Sequence, residues 1–281
     1  MTTSSDLQVA KRSTADVRLV IGLTIVFCVI SISLLALIWT PYPALKVSVG
    51  PSLAPISLSH PFGTDVYGRD VLSRVMAGGL PVIESCVLAL VVSVPFGVFL
   101  GTLSAWMKDT VVDFAVSLVI DTLYGFPALL LAITLVTVLG ASTFVAAISV
   151  GIAFIPSVAR VIRIRTRAII GRGFITLART YGYSRRSITL GHLLPNLIGT
   201  IVNQAMLGAS LTVLATAALS YLGLGTPPPT PTWGEMIQEA QGYVNVDPKL
   251  LIVPAVFVAA TIFGFNLLAD HFSSKQKRAR R

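Results

Sequence analysis

Residues 160–196 read RVIRIRTRAIIGRGFITLARTYGYSRRSITLGHLLPN, a stretch with eight arginines and no acidic residue. Apolar blocks of membrane-spanning length lie on both sides of it. The stretch is therefore expected as a cytoplasmic loop exposed to a partner. Of the 281 residues, 54% are hydrophobic and 12% charged, too oily a composition for an ordinary soluble domain. A hydrocarbon core of about 30 Å takes roughly 20 apolar residues in a helix. Six blocks qualify: about 17–39, 82–106, 112–139, 143–162, 193–219 and 250–270. Each is expected to be helical, because backbone polar groups cannot go unpaired in lipid. The fifth block is the most diluted, by Asn203, Gln204 and several threonines.

Charge placement sets the orientation. With the N-terminus inside, the cytoplasmic segments hold Lys11, Arg12, Arg18, Lys108, the eight loop arginines and five residues of the tail after Asp270. Only Lys46, Arg69, Arg74 and Lys249 of the 21 lysines and arginines are left outside. That asymmetry gives six spans with both termini cytoplasmic. It also makes anionic lipid headgroups, rather than nucleic acid, the natural partner for a net charge of +9. Cys28 and Cys86 both fall in apolar blocks and suggest neither a disulfide nor a metal ligand. The first block is long and lacks an Ala-x-Ala end, so it is expected to remain as an anchor.

Two external segments are long, residues 40–81 and 220–249. The second carries Pro227-Pro228-Pro229, a stiff polyproline-like element, followed by Trp233, Glu235 and Glu239. Substrate delivery or gating and simple interfacial packing are both open for it. Within the arginine stretch, Phe174, Leu177, Ala178 and Tyr181 recur at i, i+3, i+4 and i+7, the spacing of a short amphipathic helix. Gly182 sits where a left-handed C-cap costs little, and Ser184 can cap a second helix running toward Pro195. The product is a helix–turn–helix elbow. Its apolar face would lie on the membrane surface or dock into a groove of a soluble protein.

The same stretch resembles the cytoplasmic signature loop of ATP-binding-cassette (ABC) importer permeases, whose pattern is Glu-Ala-Ala, three residues, Gly, a spacer and Leu-Pro. Thr176-Leu177-Ala178, Gly182 and Leu194-Pro195 occupy those positions. His60-Pro61-Phe62-Gly63-Thr64-Asp65, Gly68-Arg69-Asp70, Ser73-Arg74, Phe126-Pro127, Leu219 to Gly225, Trp233-Gly234 and Phe265-Asn266-Leu267-Leu268 narrow the resemblance. They are similar to the C-type permease of the dipeptide/oligopeptide/nickel importers. The likeness runs from about residue 60 to 270.

It implies an all-α polytopic membrane protein with the type I importer permease fold and a coupling helix between spans four and five. It divides the chain into 1–59 (cytoplasmic N-terminus, first helix and external linker), 60–270 (permease domain) and 271–281 (basic cytoplasmic tail). The implied partners are a second, B-type permease, one or two cytoplasmic ATPase subunits and an extracytoplasmic substrate-binding protein, in the inner or plasma membrane of a bacterium. ATP and Mg would reside on the ATPases, with no cofactor on this chain. The elbow residues Phe174, Thr176, Leu177, Ala178, Arg179, Tyr181, Gly182 and Pro195 would then couple to the ATPase. Two departures stand out. The signature glutamate is Thr176, so its charged contact must be arranged differently, with Arg179 one substitute. Relatives also often carry an arginine where this chain has Leu118.

Asp121 lies inside the third block, where a carboxylate is by default a functional candidate, for the pathway or for a subunit interface. Asn203 and Gln204 would either line the conduit or hydrogen-bond across helices. Asp65, Arg69, Asp70 and Arg74 could pair locally at helical spacing. Asp65, Arg69 and Asp70, together with Trp233 and Glu235, are also candidates for an external gate or a binding-protein contact. No Gly-Lys pair is present to build a phosphate loop, and the three histidines are scattered. The chain is thus expected to be a transport subunit and not an enzyme by itself. An ATP-independent channel or secondary transporter, and a membrane-bound scaffold, are the competing readings.

Overall fold

A computed structural model describes the backbone of residues 4–278 and the side chains of 17–273. Lys11, Arg12 and the five basic residues of the tail, which weigh in the orientation, lie outside the described side chains. The chain is helical: α1 Ser4–Leu35, α2 Val71–Trp106, α3 Val111–Gly125, α4 Ala128–Leu139, α5 Thr143–Ile170, α6 Gly173–Thr180, α7 Arg185–Ile188, α8 Leu194–Tyr221, α9 Trp233–Ala240 and α10 Lys249–Arg278. A π-helical turn, Thr189–Leu193, carries α7 into α8 without a break. Among the described residues five helical segments are long and apolar enough to span a membrane.

The third expected span differs. Residues 112–139 do not form one helix but the pair α3 and α4, bent by 91°. The cause is local. Phe126 precedes a proline and takes the extended conformation (φ −85°, ψ 135°) that the pyrrolidine ring imposes on its neighbour. Pro127 then restarts the helix without an N–H to bond backward. Taken as a single span, the broken pair brings the number of crossings to six.

Two other expectations shift. α2 begins at Val71 rather than near residue 82, because Asp70 caps it, accepting from Ser73 N (2.8 Å) and Ser73 Oγ (2.7 Å). α5 continues to Ile170, so Arg160, Arg163, Arg165 and Arg167 ride on a helix instead of a loop.

α2 and α5 form the most extensive helix pair, and small residues make the approach possible. A Cβ added at Gly97 would fall 2.6 Å from Val158 Cβ, and one at Gly151 would fall 2.9 Å from Ala89 O. Without a hydrophobic drive between helices in lipid, such backbone proximity is what dispersion packing relies on. α10 runs antiparallel to α1, with Gly22 against Gly264 and Arg18 within 3.8 Å of Asp270. The Arg18 end of α1 and the Asp270 end of α10 therefore share one end of the bundle. That end also holds α6 and α7, since Asn203, near the start of α8, donates to Ala269 O at 2.6 Å.

The opposite end is closed by residues 40–70 and by α9. Trp233 is buried at 1% exposure against Gly78 and Gly79, and its indole N–H donates to Val75 O at 2.9 Å. Trp233→Ala should cost about 3–5 kcal/mol, a value typical of emptying a buried tryptophan site. Thermal unfolding in detergent would read this as a lowered midpoint, and an unchanged midpoint would deny Trp233 its role as the keystone of this end.

Candidate functional site

The elbow assembles from three helix ends. α6 terminates in a Schellman motif: Tyr183 N donates to Ala178 O (3.1 Å) and Gly182 N to Arg179 O (2.9 Å), with Gly182 at φ +78°. A Cβ at Gly182 would meet nothing within 4 Å, so the left-handed backbone alone demands glycine. Ser184 Oγ then accepts from Ser187 N at 3.2 Å and starts α7. The cap and the second helix stand where the sequence puts them, and Pro195 sits in the first turn of α8 with its side chain exposed.

The two faces of α6 divide less simply. Ile175, absent from the expected apolar set, is 0% exposed, and Ala178 is buried beside it. These two pack with Ile188, Leu193 and Leu197 of the α7–α8 segment and with Val158, Ile162 and Ile169 of α5. Phe174, Leu177 and Tyr181 point outward at 40%, 60% and 80% exposure, on a helix held fast from behind. Thr176 is exposed beside them. The i, i+3, i+7 stripe is thus the presented surface and Ala178 part of the weld. Ile175 was legible as an apolar residue at i−3 from Ala178, but a single periodic face drew attention away from it.

Trp106, at the last turn of α2, was not anticipated. The guanidinium of Arg179 lies 4.8 Å from its ring centroid and that of Arg185 at 5.8 Å, while the indole N–H donates to Thr189 Oγ1 at 2.9 Å. One indole thereby holds α6, α7 and the π turn. Arg179 is consequently engaged within the chain. Beside this clamp an apolar groove of about 740 Å3 opens between α2 and the α7–α8 segment, with Arg185 and Arg186 on its lining.

Above the elbow, Asp113 joins α3 to α5. It accepts from Arg167 Nη2 (2.6 Å) and from Ser104 of α2, and it lies 3.8 Å from Arg163. Asp121, two turns further along α3, is exposed and has no partner within the described chain. Asn203 is spent on its bond to α10, whereas Gln204 is half-buried on α8.

At the far end, the expected charge cluster is real but is not a helical one. Asp65 and Arg69 lie in the turn ahead of α2, held by the Thr64–Asp70 bridge, and Asp70 serves as a cap and as partner of His60 Nδ1 at 2.9 Å. Arg69 and Arg74 both grip Asp65 and also reach Glu239 of α9, at 3.0 and 2.7 Å. Asp65, Asp70 and Trp233 are buried, so the surface offered at this end belongs to their neighbours. Glu239 was visible in the sequence but unassigned, because no spacing rule links residues 165 positions apart.

Glu235, one turn before Glu239, has a buried carboxylate oxygen without a hydrogen-bond partner. Burial, and then the charge of Glu239, push its carboxyl above the ordinary range. A raised folded value means that the stability tied to this group is whole below the unfolded glutamate value and is lost as pH rises through the folded one. Glu235→Gln should therefore raise the thermal midpoint relative to the parent at pH 8, with the difference shrinking toward pH 4. A midpoint difference independent of pH would place the strain elsewhere.

Residues 94–278 match the family described as binding-protein-dependent transport system inner membrane component. The chain is 30% identical over 251 residues to a dipeptide transport system permease protein of Alkalihalophilus pseudofirmus, covering 89% of this chain and 82% of that one. It is 36% identical over 214 residues to glutathione transport system permease proteins of Escherichia coli and Shigella boydii, covering 76% of this chain and 70% of theirs.

Proposed function

The chain belongs to the family of binding-protein-dependent transport system inner membrane components, and we propose that its elbow, residues 173–192, is where ATP hydrolysis on partner subunits is coupled to import. The observation that carries this reading is the stripe of Phe174, Leu177 and Tyr181, exposed on a helix whose other side is buried. An apolar i, i+3, i+7 set on a rigid helix suits a groove in a soluble protein. Here that protein is one of one or two cytoplasmic ATPase subunits, which carry the ATP and Mg. Thr176 leaves the docking surface without the signature carboxylate, so affinity rests on the apolar stripe.

In this reading the chain, as the C-type subunit, pairs with a second, B-type permease to enclose the pathway. Residues 60–270 form the permease domain, and 1–59 and 271–281 the anchor with its linker and the basic tail. The elbow end faces the cytoplasm, with both chain ends on that side, in the inner membrane of a bacterium. A substrate-binding protein outside delivers a dipeptide, an oligopeptide or a related small solute to the end built around Trp233, Glu235, Asp65, Arg69 and Asp70. The relatives that transport dipeptides and glutathione favour solutes of peptide type. ATP-driven closure of the ATPases moves the two elbows and shifts the pathway between inward- and outward-open states. Coupling of this kind requires nucleotide and solute each to distinguish the two states.

The test is reconstitution of the full complex in proteoliposomes, with uptake and ATP hydrolysis measured together. Wild type should take up peptide only with ATP and ATPases present, and ATP-independent uptake would favour the channel or secondary-transporter reading. Gly182→Val should strain the left-handed cap by ~1–2 kcal/mol and lower the uptake per ATP hydrolysed while membrane insertion stays normal. Unaltered coupling in that variant would remove the cap from the mechanism.

A further inference from the structure

Along α5, Arg160, Arg163 and Arg167 form a stripe at i, i+3 and i+7 facing α3. Arg163 and Arg167 share one carboxylate, that of Asp113, at 3.8 and 2.6 Å. Arg160 has no acidic partner among the described residues. Its described contact is with a ring: the guanidinium lies 4.9 Å from the centroid of Tyr124 on α3. Asp121 stands one turn before Tyr124 on the same helix, exposed and without a partner among the described residues.

Depth makes this arrangement informative. At 1.5 Å per residue, Asp121 lies about 12 Å beyond Asp113 and Arg160 about 10 Å beyond Arg167. Both therefore sit at one level, near the cytoplasmic end of the apolar block 143–162 and on that side of a hydrocarbon layer of about 30 Å. An arginine in that position ordinarily snorkels toward the nearest headgroups. This one reaches instead to Tyr124, three residues further in than Asp121. An exposed carboxylate and an exposed guanidinium at that depth are too costly to face lipid. They fit a water-filled conduit, and they are of opposite sign without being spent on each other, the guanidinium lying over the Tyr124 ring instead.

We propose that Asp121, Tyr124 and Arg160 form a station on the transport pathway for a zwitterionic solute. Asp121 takes its ammonium group and Arg160 its carboxylate, with Tyr124 holding the guanidinium in place. A short peptide with free termini has that chemistry. The proposal rests on the peptide-import reading above and adds residues and a recognition mode to it. Charge-assisted bonds are the strong ones, and a bidentate guanidinium is suited to a terminal carboxylate.

The experiment uses the complete reconstituted complex, with Cys28 and Cys86 replaced by alanine. Asp121→Cys and Arg160→Cys should react with a water-soluble methanethiosulfonate reagent in the nucleotide-free or the vanadate-trapped state. Failure of both to react in either state would mean that lipid or the partner permease covers them, and would overturn the proposal. With alanyl-alanine as the probe, Asp121→Asn and Arg160→Gln should each lower ATP-driven uptake at least tenfold, with partial recovery in Asp121→Glu and Arg160→Lys. Uptake unchanged in both neutral variants would overturn it too. A wild-type complex that hydrolyses ATP but does not import the dipeptide would count against the peptide reading itself. Labelling would then decide whether the station is aqueous.

Discussion

The Trp106 indole holds together parts that the backbone leaves separate. Gly171-Arg172 joins α5 to α6, and Tyr181-Gly182-Tyr183-Ser184 joins α6 to α7, so the elbow would be a loose strap if only its connections held it. Trp106 accepts two guanidinium groups on its ring and gives its N–H to Thr189. Each cation–π contact at a partly exposed site contributes about 0.5–1 kcal/mol. The apolar weld behind it is larger. Ile175, Ile188 and Leu193 are fully buried, and such side chains each gain about 1.5–3 kcal/mol from burial. The clamp therefore selects the elbow's orientation relative to α2, while the weld supplies the firmness of its attachment to α5 and α8.

A second set of contacts fixes the other end of the same helix. Asp70 caps α2, Arg69 and Arg74 bind Asp65 and Glu239, and Trp233 fills the space over Gly78 and Gly79. This four-residue network, with Asp65 and Arg74 buried and Arg69 and Glu239 partly exposed, contributes little net stability, since desolvation offsets most of the attraction. Its effect is geometric, joining the start of α2 to α9. α2 is thus tied at one end to the segment beyond the spans and at the other to the elbow, and it packs along α5 through Gly97 and Gly151. A displacement at either end has a stiff route to the other.

Much of this was legible in the sequence, for definable reasons. Hydropathy located the spans because lipid forbids unpaired backbone, and Gly182 and Ser184 announced their caps because local chain geometry admits few residues there. The break at Phe126-Pro127 was written in the sequence too. It lies inside an unbroken apolar run, and hydropathy alone does not register a bend. Ile175 and Ala178 were ambiguous because α6 has apolar residues on two sides, and which side is buried depends on α5 and α8. Trp106 and Glu239 were beyond local patterning altogether. Their partners lie 83 and 165 residues away and meet them only once the bundle has formed. Arg160 reads in the sequence as one more topogenic arginine, and only the fold sets its guanidinium over the Tyr124 ring.

A weld of this kind requires the elbow to move with the spans as one rigid piece. Spin labels at Thr180 of α6 and Ile164 of α5, in the reconstituted complex with Cys28 and Cys86 replaced, give the distance between them by pulsed electron resonance. A single narrow distance, the same without nucleotide and in the ATP-bound state, is what a welded elbow predicts. A distance that shifts or broadens on ATP binding would show that α6 hinges at Gly171–Gly173, and would contradict it.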